Sequence, residues 1–199
     1  GGVIRPPEEA PLKRPSAATD AATLPSQAPA GCVKLLFENE RLRISDLRLP
    51  PQMEIGIAHR WPTVRWQVGE AEHLLDGSRS VVRDRQVHFV EHGTPWRLRN
   101  VGLSLYRQVV FEILGPARNT EEQVGRLADA ASYSARVGTE LLYENRLCRC
   151  WDFFLEPGQA LGVHQHTLDY AFVLLAPGRL VVSHPSASRR STLLAMMGR

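Results

Sequence analysis

The stretch Pro157-Gly-Gln-Ala-Leu-Gly-Val-His-Gln-His-Thr-Leu-Asp-Tyr-Ala-Phe-Val-Leu-Leu-Ala-Pro-Gly178 decides how this chain is read. Gly158 opens a turn, and His164 and His166 stand two apart. An apolar run follows from Ala171 to Ala176, and Pro177-Gly178 closes it. Residues two apart in a strand point to the same face, so a strand here projects both imidazoles into one space. A β-barrel can offer a metal two nitrogen ligands in this way, and Zn, Fe, Ni and Cu accept imidazole readily.

Upstream, from Cys32 to Leu114, the texture is one of short β-like runs. Val33–Phe37 is one, and Leu42-Arg-Ile-Ser-Asp-Leu-Arg-Leu49 alternates over its full length until Pro50-Pro51 ends it. Ile55–Ala58, Val64–Val68, Val81-Val82, Val87–Val90, Trp96–Arg99 and Leu103–Leu114 follow. Many short strands separated by Gly, Pro and Asp-Gly turns predict an all-β sandwich or barrel. From Asn119 the period changes. Thr120-x-x-Gln123 can act as a capping box, and Val124, Leu127, Ala128 and Ala131 recur at helical spacing, which predicts a short helix.

At Leu141 the pattern restarts. Leu35-Leu-Phe-Glu-Asn39 returns as Leu141-Leu-Tyr-Glu-Asn145, and Asp46 and Pro51-Gln52 find counterparts in Asp152 and Pro157-Gly-Gln159. A repeat of this length is a domain rather than a solenoid unit. The chain therefore reads as four parts: a Pro/Ala-rich segment over 1–31 without a packed core, a first barrel over 32–118, a helical linker over 119–137, and a second barrel over 138–199.

Gly158-x5-His164-Gln-His166 resembles the first motif of the cupin superfamily, whose members are small antiparallel jelly-roll (double-stranded β-helix) barrels. The family pattern continues with a Glu and then a Gly; Tyr170 and Ala171 stand in the Glu positions, Asp169 just before them, and Gly178 fits the Gly. Val87–Asn100 resembles the second motif, Gly-x5-Pro-x-Gly-x2-His-x3-Asn, around Gly93 and Asn100. Glu91 stands at its Pro, and Trp96 at its ligand His. An indole N–H cannot coordinate a metal. In the first copy His59-Arg-Trp61 takes the place of His-x-His, or His59 alone matches the second His. The resemblance thus implies tandem jelly-roll barrels, a bicupin, with a degenerate first barrel and a second that stops before its second motif. Unpaired strand edges there would call for a partner or a homodimer.

By the same resemblance, His164 and His166 hold a divalent metal (Fe, Mn, Ni or Zn) in the second barrel, with Asp169 and Tyr170 as further ligand or substrate contacts. The first barrel holds none, and His59, Trp61 and Trp96 line its cavity, with Trp66 packing the interior as well. The implied chemistry is that of a dioxygenase, isomerase or decarboxylase on a small organic molecule. The other implied role is a metal-free cupin that binds a small ligand or serves as a storage or dimerisation barrel.

Composition narrows the partners. The 199 residues are 43% hydrophobic and 23% charged, with a net charge of +3, so the chain is expected to be soluble and globular. Its arginines are scattered rather than gathered in a patch, which argues against nucleic acid, and no apolar run is long enough to span a bilayer. Cys32, Cys148 and Cys150 read as reduced thiols, which points to an intracellular protein. The chain begins with Gly1, so a targeting segment ahead of it is left open. No phosphate loop, Gly-x-Ser-x-Gly elbow or helical His-Glu-x-x-His motif is present.

Overall fold

Leu42–Leu49 and the segment before Ile113 supply the two longest strands, and the fold is built around their pairing. The computed structural model describes residues 29–91, 95–116, 122–123, 125–126, 133–166, 168–183 and 190–195. Its first part contains β1 (Val33–Glu38), β2 (Leu42–Leu49), β3 (Glu54–Ile57), β4 (Thr63–Gln67), β5 (Ala71–Leu75), β6 (Ser78–Val82), β7 (Val87–Val90), β8 (Trp96–Asn100) and β9 (Tyr106–Ile113). They form two antiparallel sheets, β1-β2-β9-β4-β7 and β3-β8-β5-β6. The chain passes repeatedly from one sheet to the other, and this order is that of a jelly roll. The all-β architecture expected from the sequence is present.

Local chemistry sets the turns. Asp76 and Gly77 have φ of 46° and 82°, the pair of left-handed residues that a two-residue hairpin needs between β5 and β6. Asp76 also accepts the Arg97 amide at 2.8 Å, tying the hairpin to β8. β5 has no counterpart among the strands expected from sequence, because Ala-Glu-His-Leu-Leu is weakly β-forming. Its pairing with both β6 and β8 makes it a strand.

Between the sheets, Leu47, Leu49, Ile55, Ile57, Ala71, Val82, Leu98, Tyr106 and Val110 form the core, with Val33, Met53 and Trp96 packed against it. Many inward positions are polar instead: Ser45, Thr63, Arg65, Gln67, His73, Gln108 and Glu112 are all buried. Asn100 is fully bonded in the core. Its Nδ2 donates to the carbonyls of Leu49 and Ser104, both at 2.8 Å, and its Oδ1 accepts the Gly102 amide at 3.0 Å. On the other face of β2, Asp46 is bound by Arg107 at 2.9 and 3.0 Å and by Arg48 at 2.9 Å.

The second part contains two hairpins, β10 (Glu140–Glu144) with β11 (Arg149–Asp152), and β12 (Gly178–Ser183) with β13 (Arg190–Ala195). The first of these repeats β1–β2 in detail. Both have a register break at the same place, between Leu35 and Phe37 and between Leu141 and Tyr143. In both, a Glu–Arg pair closes the end, Glu38 with Arg43 and Glu144 with Arg149. Asn39 Oδ1 accepts the amides of Arg41 and Leu42, and Asn145 Oδ1 those of Leu147 and Cys148. Even the following turn matches, with Gln52 at φ 65° and Gly158 at φ 84°.

Beyond that hairpin the two parts differ. β2 pairs onward with β9, whereas β11 pairs only with β10 among the described residues. The strand expected through His164 and Ala171–Ala176 is not formed; a single parallel bridge joins His164 to Ser134. Propensity alone does not hold an extended run without a neighbouring strand to bond to. A second closed barrel is thus not seen among the described residues. The expected helix falls mostly outside them, including Thr120, Val124, Leu127, Ala128 and Ala131; residues 122, 123, 125 and 126 are helical. Residues 1–28 of the Pro/Ala-rich segment also lie outside them. No described helix is long and apolar enough to cross a membrane.

Replacing Asn100 by Ala removes three side-chain hydrogen bonds to the backbone, at the Leu49 and Ser104 carbonyls and the Gly102 amide, which keeps only its 3.2 Å bond to the Glu72 carbonyl. It is expected to cost about 3 kcal/mol, read as a lower urea midpoint with an unchanged m-value.

Candidate functional site

Strand pairing lines up one row of inward residues across the larger sheet. Ser45 faces Val110, Val110 faces Arg65, and Arg65 faces His88. Arg65 is brought inside because β4 alternates. Thr63, Arg65 and Gln67 share the inner face, leaving Val64 and Trp66 on the other. Its side chain ends over the ring of Trp96 at 4.4 Å, and Val33, Ser45, Leu47, Ile55, Ile57, His59 and Val110 complete the wall of a small cavity around it. The cavity leaves about 20 Å³ for the centre of a water-sized guest.

The electrostatics of this lumen are one-sided. The guanidinium makes no hydrogen bond or ion pair with a described residue, and its Nε is fully enclosed. The carboxylate on the inner face of β9, Glu112, is held instead by Arg43 at 3.4 Å, and burial pushes its pKa up. His59 Nε2 and His73 Nδ1 are also enclosed without partners. Burial, and then the Arg65 charge, push His59 down to about 4 and lower His73 and His88 as well, with His73 adding to the effect on His88. Burial pushes the Tyr106 phenol up to about 12. At neutral pH the imidazoles and the phenol are therefore uncharged, and Arg65 carries the fixed charge.

Of the aromatic residues expected here, Trp96 lies 5.9 Å from His59, ring centre to ring centre, and stacks under Arg65. Trp61 is half-buried beneath Arg60, outside the cavity wall. Trp66, expected inside, faces outward because its neighbours Arg65 and Gln67 take the inner positions. His73 packs edge-on against Tyr106, and its Nε2 lies 3.2 Å from Ser80 Oγ. Arg65 and His73 were not singled out from sequence. The available signal was the alternation Thr63-Val-Arg-Trp-Gln67, which leaves either face free to be the inner one.

In the second part, His164 and His166 have ring centres 5.0 Å apart at 77°, and His166 stacks on Tyr170 at 3.8 Å. His164 is half-buried and His166 exposed. His164 Nδ1 lies 3.1 Å from the Gly162 carbonyl; a proton there leaves Nε2 as the free nitrogen. Burial, then His164, lower the pKa of His166. The Asp169 carboxylate is bound by Arg41, across from the first part. No group of three or more His, Cys, Asp or Glu residues is gathered for a metal among the described residues. A wider hollow of about 510 Å³ lies along Arg83–Gln86, Val81 and Leu142. Its Arg85 is already paired with Asp152 at 2.7 Å and Glu140 at 3.3 Å.

No family model matches the chain, and no curated protein does. Among solved structures it is similar to a cupin domain from Bordetella pertussis Tohama I, at 20% identity and TM-score 0.39 over 41% of this chain and 90% of that one. It is also similar to an RmlC-like cupin family protein with a double-stranded β-helix fold from Methanocaldococcus jannaschii, at 14% identity and TM-score 0.36 over 41% and 77%. A third is a cupin superfamily protein from Desulfitobacterium hafniense DCB-2, at 18% identity and TM-score 0.35 over 55% and 94%.

His59 provides a direct check on the lumen. Its folded-state pKa lies below the ordinary 6.5, so the unfolded chain takes up its proton first as the pH falls. Its contribution to stability is therefore complete above pH 6.5 and lost between there and about 4. His59→Asn should flatten that part of the pH–stability curve, and the His59 ring signal should titrate near 4 by NMR.

Proposed function

We propose that the chain is a cupin-type small-ligand-binding protein, organised as a duplicated pair of units, whose first unit takes a small guest into its lumen. The observation that carries this reading is the small cavity between the two sheets, walled by Val33, Leu47, Ile55, Ile57 and Val110 beside Ser45, His59 and Arg65. Ser45 Oγ, His59 Nε2 and Arg65 Nε lie enclosed behind that wall without a protein partner, each at a cost on the order of 1–3 kcal/mol. The strand order of the jelly roll and the place of Asn100 at the end of β8 support the cupin assignment. The matched hairpins β1–β2 and β10–β11 support the duplication.

A second reading concerns the later unit, where His164 and His166 are the donors for a divalent metal such as Fe, Mn, Ni or Zn. The edge-on pair of imidazoles favours it, as does the Gly162 carbonyl that can fix the His164 tautomer. Such a metal would supply Lewis-acid or oxygen-binding chemistry. His164 and His166 would bind it, Tyr170 would hold the His166 ring, and Asp169 would stay with Arg41. Two imidazoles fit half of a usual protein donor set.

NMR on the full chain tests both. Titrating formamide, urea or sodium formate should shift the His59 ring and the Trp96 indole saturably while leaving Trp66, on the outer face, unmoved. Unmoved lumen signals with every guest would end the first reading. Stoichiometric Zn²⁺ should shift the rings of His164 and His166, and His164→Ala should abolish the response at His166. Rings indifferent to excess Zn²⁺ would end the second.

A further inference from the structure

We propose that Cys148 and Cys150, on one face of the β10–β11 hairpin, are a thiol–disulfide exchange centre: they react with a low-molecular-weight disulfide and close into a disulfide of their own.

The hairpin repeat locates them. Cys150 pairs with Tyr143 as Ile44 pairs with Phe37. The Asn145 amide bonds the Cys148 carbonyl at 3.0 Å, as the Asn39 amide bonds that of Leu42 at 2.9 Å. The thiols therefore stand where the first unit has Leu42 and Ile44, two residues apart on one strand face. In that unit β9 covers the pair through Ile113 and Phe111, and Ile44 is 3% exposed. β11 has no such neighbour among the described residues, and both cysteines are free and only half-buried. An aliphatic pair builds the same hairpin, so folding does not require sulfur at these positions.

The two side chains touch. The Cys150 thiol donates to the Cys148 sulfur, and this contact lowers the Cys148 pKa. The same contact, then burial and the Cys148 charge, raise that of Cys150. Cys148 Sγ also lies 3.5 Å from Asn145 Oδ1, which holds the turn through the amides of Leu147 and Cys148. Cys148 is thus the thiol that ionises first and attacks, and Cys150 is placed to resolve.

The Cys148 thiolate attacks one sulfur of the small disulfide RSSR, forming a mixed disulfide and expelling RS⁻. Cys150 gives its proton to that RS⁻ and then attacks the Cys148 sulfur. The second RS⁻ leaves and takes up the proton that Cys148 gave to solvent. Two protein thiols are oxidised, and RSSR is reduced to two RSH. Two residues of strand rise separate the Cα atoms by about 6.8 Å, at the long end of what a disulfide spans. Closure draws in the chain at Cys148, which stands in the turn just ahead of β11. A bridge under that tension, reached by solvent, is readily reduced again.

Glutathione is the probe. The full chain is equilibrated in buffers of rising oxidised-to-reduced ratio, quenched with iodoacetamide, denatured and cut with trypsin for mass spectrometry. Cleavage after Arg149 separates the two cysteines, so their disulfide appears as two peptides held together. That species should rise with the ratio and vanish when reduced glutathione is restored, while Cys32, in the core, stays a thiol. Cys150→Ser should trap glutathione on Cys148, and Cys148→Ser should react at least about tenfold more slowly. The double variant Cys148→Leu/Cys150→Ile carries the first unit's residues. It should keep the parent's circular dichroism and consume no oxidised glutathione. The parent measurement needs no variant: mixed disulfides alone, bridges to Cys32 or between chains, or no reaction at any ratio would overturn the proposal. Equal trapping by the two single variants would overturn the assignment of Cys148 as the attacking thiol.

Discussion

A guanidinium that cannot give up its proton sits inside a barrel whose inner carboxylate, Glu112, is held by a different arginine, Arg43, and much of the first unit is arranged around that fact. Arg65 enters because β4 must turn one face inward, and its neighbours on that face, Thr63 and Gln67, are polar too. After burial, its charge helps to keep the imidazoles of His59, His73 and His88 neutral. Trp96 gives the cation a face to rest on. The result is an interior in which buried polar side chains, Ser45, Thr63, Gln67, His73 and Gln108 among them, stand beside the apolar core.

The two halves show how one sequence pattern meets different surroundings. The Leu-Leu-aromatic-Glu-Asn hairpin folds the same way twice, with the same register break and the same asparagine-held turn. In the first copy β2 is then buried by β9, and its inner residues Leu47 and Leu49 join the core. In the second copy the equivalent strand has its hairpin partner alone among the described residues, and Phe153, the counterpart of Leu47, stays 41% exposed. The copies touch through Arg85 with Asp152, Arg41 with Asp169, and the stacked rings of Phe89 and Tyr143. Exposed ion pairs of this kind contribute little to stability.

Much of the strand pattern was legible because strands and turns answer to local chemistry: alternation in Leu42–Leu49, the stop at Pro50-Pro51, the Asp-Gly hairpin. β5 escaped because its residues do not favour a strand until neighbours on both sides bond to it. The candidate site was legible only in part. His59 and Trp96 were visible as residues out of place in a motif, whereas Trp66 was expected on the wrong face and Arg65 was passed over as one arginine among many. His164 and His166 were readable as a pair, but the strand meant to aim them was not formed.

The sequence by itself determined that this is a β-protein with short strands, where its turns fall, and that one hairpin occurs twice, because those features depend on residues only a few positions apart. The tertiary structure decided what the barrel encloses. Ser45, Arg65, His88 and Val110 lie far apart along the chain, and only the antiparallel register of β2, β9, β4 and β7 sets them in one row. A shift of one residue in that register would have turned Arg65 out to water and brought Trp66 in.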